Sequence, residues 1–398
     1  MEDTPTLTLE PNPDLTVVED QKPRWNLPAN RRRGFRSLDS ISRYALSLRA
    51  PVVLPLVEAF DPAIARLSSV QTLIGAAPFC ALVVVQGQKL LFESYARDMA
   101  ADQRHSIQSI SKMPMHLIMG RLIAAGQVDL DNRVRDYLPE IGSGYASATV
   151  QQVLDMDVIN NFNEDYQDSY ALGNKAQDSL GYNREEIAMG WRLPPPGEAE
   201  FSGRDFLLSI TATETKNPTR DMQYRSPNTE VLAWIAERVS GRSLRELLID
   251  VIEGAGIEGV YHISMDRNGV PVIAGGASLT ARDLARYGLI FARGGRSVQG
   301  ALLGGGPAFI EQTTNGRGTV VGDGCVGVHY SNHCYTNGRW MGHPGFAGQF
   351  LMTDPKTQTA IAFFSVLETK DGDQEGYTAE IIAMGEDILG TIDSAEGS

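Results

Sequence analysis

Cysteine is scarce in this chain: Cys80, Cys325 and Cys334 are the only ones in 398 residues. With no C-x-x-C pair, they offer neither a disulfide framework nor a cysteine zinc site, and a Cys325–Cys334 bridge would require an oxidising compartment. The six histidines include no H-E-x-x-H or H-x-H pair, and His329 and His333, four apart, stand among glycines and turn residues. No metal is expected from that pattern, and nothing else in the chain calls for a cofactor. Positive charge is also short, with 35 Lys+Arg against 49 Asp+Glu and a net charge of −14. This disfavours nucleic acid or an anionic membrane as a partner, since phosphate binding needs basic surface. No apolar run approaches the roughly 20 residues that cross a bilayer. The start Met1-Glu2-Asp3 lacks the basic-then-apolar pattern of a leader, so a cytoplasmic location is expected.

What is present reads as a globular protein of two lobes or one elaborated domain. Residues 1–22 are acidic and rich in Pro and Thr, and are expected to be disordered. Residues 23–60 carry Trp25, Pro28, Phe35, Tyr44 and Leu46 with little periodicity, as an arm wrapped on a body would. The basic cluster Arg31 to Arg33 with Arg36 is expected to pack against the acidic body. Phe79 to Val85 is a buried-strand candidate, with Lys89 to Tyr95 returning after a turn at Gln86-Gly87-Gln88. Met113 to Ala125 reads as a buried helix, and 126–222 as short irregular helices. A helix over Ser226 to Ser240 has Ser226 as its candidate cap, Pro227 in its first position and Gly241 at its end. Leu244 to Ile252 follows as another. Phe350 to Thr353 and Ala360 to Val366 form a hairpin, closed by a helix over Ala379 to Leu389. The fold class is therefore α+β, with a sheet built from both ends of the chain and a helical insert between. The expected division is an arm over 1–50, an α/β domain over 51–135 and 275–398, and a helical domain over 136–274.

Lysine is rarer than arginine, with seven residues, and only Lys112 follows a serine by three positions, in Ser109-Ile110-Ser111-Lys112. At the start of a helix, i and i+3 share a face, so the hydroxyl and the amine could touch. A serine needs an adjacent base to act as a nucleophile, and a desolvated lysine with a lowered pKa supplies one. Alternatively Ser109 caps a helix and Lys112 is a solvated first-turn residue. Two further segments follow in order: Gln223-Tyr224-Arg225-Ser226-Pro227-Asn228, entering a helix, and Gly342-His343-Pro344-Gly345-Phe346-Ala347-Gly348-Gln349, entering a strand.

In that order the three segments resemble the S-x-x-K, Y/S-x-N and K-T-G motifs of the serine β-lactamase and penicillin-binding-protein superfamily, on its class C and family VIII carboxylesterase side. Arg24 to Phe35, Val128 to Asp131, Asp136 to Glu140, Thr149 to Met156, Glu164-Asp165-Tyr166 and Tyr224 to Gly241 resemble the 6-aminohexanoate-dimer hydrolase subfamily. The resemblance implies a mainly antiparallel sheet between helices in a three-layer αβα arrangement with an inserted helical domain. It implies that Ser109 attacks a carbonyl, that Lys112 activates it, and that Tyr224 shuttles a proton, its pKa lowered by Lys112. It also implies an oxyanion hole from the N–H groups of Ser109 and Phe346, worth about 3–4 kcal/mol when aimed at the oxyanion. Gly345 and Gly348 fit close approach of a substrate to the strand.

Two departures stand out. The third motif is His343-Pro344-Gly345, so the lysine that would help hold a β-lactam carboxylate is missing, and β-lactamase activity is doubtful. His343 is a substrate partner, a tyrosine partner or a turn residue. In the second motif, Ser226 or Asn228 could fill the asparagine position, with Ser226 favoured as a helix cap only. The expected function is cleavage of a small amide, 6-aminohexanoate-oligomer-like or peptide-like, through an acyl-enzyme. A carboxylesterase using the same site, and a non-hydrolytic ligand-binding protein on this fold, are the alternatives. The helical insert around 157–200 is expected to shape the pocket, and a homodimer is left open.

Overall fold

A computed structural model describes residues 20–166, 181–315 and 318–396. The expected disorder of 1–22 therefore falls almost wholly outside the described residues, as does 167–180 of the insert expected to shape the pocket. Phe79–Gln86 is buried over nearly its whole length because it lies inside a sheet, with Lys89–Tyr95 on one side and Thr359–Ser365 on the other. A strand covered on both faces carries a continuous apolar run rather than an alternating one. The complete spatial order is Val57–Glu58, Lys89–Tyr95, Phe79–Gln86, Thr359–Ser365, Gln349–Asp354, Met341–Gly345, Cys334–Thr336, His329–Ser331 and Thr319–Val320. All pairs are antiparallel except the first.

Side-chain alternation along Gln349–Asp354 sets the layers. Leu351 and Thr353 meet the helix Ala281–Ala292 at Gly288, whereas Met352, on the opposite face, meets the helix Tyr377–Glu396 at Gly385. Helices thus cover both faces of the sheet, giving the three-layer α+β architecture. Burying a side chain such as Leu351 or Met352 contributes about 1.5–3 kcal/mol. All three cysteines are buried free thiols, and among the described residues no helix is long and apolar enough to cross a membrane.

The largest differences from the sequence reading lie at the arm and the insert. The arm is not merely wrapped on the body. Its strand Tyr44–Leu48 pairs with Tyr261–Met265, which pairs with Ala277–Leu279, which pairs in turn with His105–Ser106 in a second, four-stranded sheet. Residues 136–274 are accordingly not all helical, since they contain a strand of that sheet. Arg31, from the basic cluster, is fully buried and donates to the carbonyls of Asn26, Leu367, Thr369 and Lys370. Arg32 and Arg36 do meet an acid, Asp98.

The helix expected from Met113 begins at Pro114 and ends at Ala124. Proline has no N–H to return to the carbonyl of Ile110, so the preceding turn, Gln108–Lys112, tightens to 3-10 geometry. Pro227–Ser240 ends where Gly241 turns left-handed at φ 67°, as its sequence predicts. Its start differs, because the Ser226 side chain makes no capping bond.

Replacing Arg31 by alanine leaves several buried carbonyls unpaired and is expected to cost about 3 kcal/mol. Thermal unfolding checks this, and an unchanged melting temperature would show that the arm is not anchored there.

Candidate active site

The tight turn Gln108–Lys112 connects the small sheet to the helix Pro114–Ala124. Its entry is held twice: the Ser106 N–H donates to the carbonyl of Phe35 in the arm, and the Ile107 N–H to that of Ala277. Gln108 enters the turn at φ 48°, a left-handed conformation uncommon for a residue with a side chain. The result puts the Ser109 hydroxyl at a pocket of about 210 Å³ shared with Tyr166, Tyr224, Tyr335 and Phe346.

Lys112 lies beneath that pocket and is entirely buried, so it is not a solvated first-turn residue. Its Nζ donates to Ser109 Oγ at 3.1 Å, to Ser226 Oγ at 3.0 Å and to the carbonyl of Ala274. Burial pushes its pKa from 10.5 down to about 8, while Glu164, Glu185 and Glu230 oppose the shift. An amine partly neutral near physiological pH and bonded to a serine hydroxyl is a competent base for it.

Ser226 is a working member of this network, and the expectation that it only caps a helix is corrected. Besides accepting from Lys112, it donates its hydroxyl to Glu164 Oε1 at 2.7 Å and its N–H to Glu164 Oε2 at 2.7 Å. Tyr166 donates to the same carboxylate at 3.0 Å. Asn228, the other candidate for that position, turns away. It accepts from the Tyr145 hydroxyl at 2.8 Å and donates to the Val153 carbonyl at 3.3 Å, inside the helical core.

Tyr224 borders Ser109 in the pocket, with its ring centroid 5.1 Å from Lys112 Nζ. The amine thus lies against the ring, and the phenol's pKa is not lowered as expected. Burial, then Glu164, push that pKa well above 10, and the nearby Ser109 hydroxyl only partly opposes them. The Tyr224 hydroxyl is buried without a hydrogen bond of acceptable geometry, so Ser109 is its neighbour rather than its bonded partner.

His343 is fully buried in the strand Met341–Gly345, which excludes a turn role. Its Nε2 is 3.2 Å from the Tyr330 hydroxyl and its Nδ1 2.6 Å from the carbonyl of Pro344. Burial drives its pKa well below 6.5, leaving a neutral ring packed 6.1 Å from that of Tyr224. It supports the tyrosine and lies away from the pocket lining. Gly345 lies where the strand crosses the serine turn: a Cβ there would sit 2.6 Å from the carbonyl of Ile107. Phe346 follows, its ring 5.1 Å from that of Tyr166 and its face 5.3 Å from the guanidinium carbon of Arg31. Gly348, at φ 103°, completes the turn into the next strand.

The sequence reading did not single out Glu164, Ala274, Glu185 or Glu230 as site residues. Glu164 and Tyr166 stand in a segment used there only for its resemblance. A carboxylate 62 residues from the serine it grips has no spacing signature.

The family profile described as beta-lactamase matches residues 63–383, most of the chain. The chain belongs to the beta-lactamase family. This is a family of hydrolases. Within it, the chain is 30% identical over 367 residues to the 6-aminohexanoate-dimer hydrolase of Paenarthrobacter ureafaciens, covering 89% of this chain and 90% of that protein. The fold is similar to that of a Bacillus anthracis protein provisionally named a 6-aminohexanoate-dimer hydrolase, with a TM-score of 0.76 and 19% identity over 97% of this chain and 99% of the other. It is also similar to a D-stereospecific amidohydrolase from Streptomyces sp., with a TM-score of 0.54 and 16% identity over 78% and 96% of the two chains.

Gly345→Ala tests the crossing of strand and serine turn. It is expected to lower both the melting temperature and turnover, because the new methyl must push the strand away from Ile107. Wild-type behaviour in both measurements would contradict that crowding.

Proposed function

We propose that this protein cleaves a small amide through an acyl-enzyme, with Ser109 as nucleophile, Lys112 as its base and Tyr224 as proton donor to the leaving group. The observation that carries this reading is the bond from a fully buried Lys112 to the Ser109 hydroxyl at a pocket. With the pKa near 8, about a tenth of Lys112 is neutral at pH 7. That fraction accepts the serine proton as Oγ attacks the carbonyl carbon. The N–H groups of Ser109 and Phe346 are assigned to the oxyanion that forms. Tyr224, kept as a phenol by burial, donates to the departing nitrogen as the C–N bond breaks, and takes its proton back from Lys112. Water then attacks the acyl-enzyme, with the neutral amine again as base.

A linear amide such as a 6-aminohexanoate oligomer is the leading substrate, supported by the full-length similarity to the Paenarthrobacter enzyme. Ester cleavage is the second reading. It is favoured by the isolation of the Tyr224 hydroxyl, because an ester's alkoxide departs with less need for protonation than an amine. Comparing hydrolysis of the 6-aminohexanoate linear dimer with that of a p-nitrophenyl ester decides between them.

Fluorophosphonate labelling is expected to modify wild-type protein at Ser109 and to fail in Ser109→Ala. Lys112→Ala is expected to reduce turnover by about 10²–10⁴-fold, the usual range for a general base. Because only the neutral amine accepts the proton, the wild-type rate should rise as pH rises through about 8. A wild-type chain neither labelled nor active, or a flat profile between about pH 6 and 9, roughly the range a base near 8 must span, would contradict the assignment.

A further inference from the structure

Two of the three residues whose oxygens hold Lys112 are themselves held by glutamates. In front, Glu164 grips Ser226 through its hydroxyl and its N–H. Behind, the carbonyl of Ala274 accepts from Lys112 Nζ, and the N–H of the same residue donates to Glu230 Oε1 at 3.1 Å. Glu230 lies four residues beyond Ser226 on the helix Pro227–Ser240, one turn along the same face. One helix face therefore supplies both an acceptor for the amine and a clamp for a second acceptor.

Ala274 belongs to the irregular segment between the strands Tyr261–Met265 and Ala277–Leu279. No strand partner fixes its N–H, which is bonded by the Glu230 side chain instead. Glu230 and Glu185 also line a cavity of about 40 Å³ beside Met189 and Trp234. That volume suits about three or four waters, at roughly 10–15 Å³ each, rather than a second substrate. Burial raises the Glu230 pKa to about 8, opposed by the Ala274 N–H bond and Lys112 and supported by Asp266 and Glu237. At neutral pH the side chain is mostly an uncharged hydrogen-bonding group, for which glutamine is nearly isosteric.

We propose that Glu230 is a positioning residue: by anchoring Ala274 through its N–H it places the residue's carbonyl, in the next peptide unit, at Lys112 and keeps the amine within reach of Ser109. This rests on the serine-hydrolase reading above. It assigns a role to a residue that touches neither substrate nor reacting atoms, acting through a backbone carbonyl.

Glu230→Met keeps the volume and removes the acceptor, Glu230→Leu guards against misfolding of the Met variant, and Glu230→Gln keeps an acceptor that cannot ionise. In the Met and Leu variants, kcat and the fluorophosphonate labelling rate are expected to fall about tenfold or more, with KM within about twofold of wild type. The Gln variant should recover to within about threefold of wild type. The positioning role is overturned if the acceptor-free variants keep kcat, if they raise KM with kcat intact, or if Gln is as slow as Met. An inert, unlabelled wild type overturns the hydrolase reading itself, whereas a labelled wild type beside unimpaired Met and Leu variants overturns only the role of Glu230.

Discussion

Lys112 is held in a wholly buried position by three neutral oxygen acceptors, and among the described residues no carboxylate lies within ion-pair distance of its Nζ. Removing an ammonium from water costs several kcal/mol even after relaxation, so the group must lose part of its charge, gain hydrogen bonds, or both. Here both happen. The pKa drops to about 8, and the serine, helix-start and loop oxygens replace water. A carboxylate in direct contact would have kept the lysine charged and useless as a base. The glutamates instead act at one remove, through Ser226 and Ala274.

That requirement organises the surrounding fold. The three acceptors come from the tight turn before Pro114–Ala124, the residue preceding Pro227–Ser240, and the segment leading to Ala277–Leu279. All three must meet at one point. The small sheet fixes the turn from one side, and the strand Met341–Gly345 crosses it from the other, closely enough to require a glycine. The arm joins the same structure. Arg31 binds the carbonyls that continue from Thr359–Ser365 and covers the face of Phe346, so the pocket wall depends on residues far from the serine in sequence.

Much of this was legible in the sequence, for identifiable reasons. The continuous apolar run at Phe79–Gln86 and the glycine-ended pattern of Pro227–Ser240 are local, so their elements stand close to where they were expected. The three-residue spacing of Ser109 and Lys112 is equally local, and the two side chains do meet, though on a 3-10 turn. What failed was non-local. Ser226 reads as an ideal cap, but a buried ammonium and a carboxylate compete for its hydroxyl and win. Asn228 looks equivalent to Ser226 on paper, yet it sits two helix positions later and faces the core. Ala274 acts through its carbonyl, and a backbone atom leaves no residue-type signal. The arm's strand was invisible because its partner lies more than 200 residues away.

The account rests on the ionisation of one lysine, and the rarity of lysine makes it measurable. With seven in the chain, ¹³Cε-lysine labelling gives few enough NMR signals to assign Lys112 by its loss in Lys112→Met. The account predicts that this signal titrates near pH 8, well below the ordinary lysine value of about 10.4. A Lys112 resonance that stays fully protonated until pH 10 would contradict it.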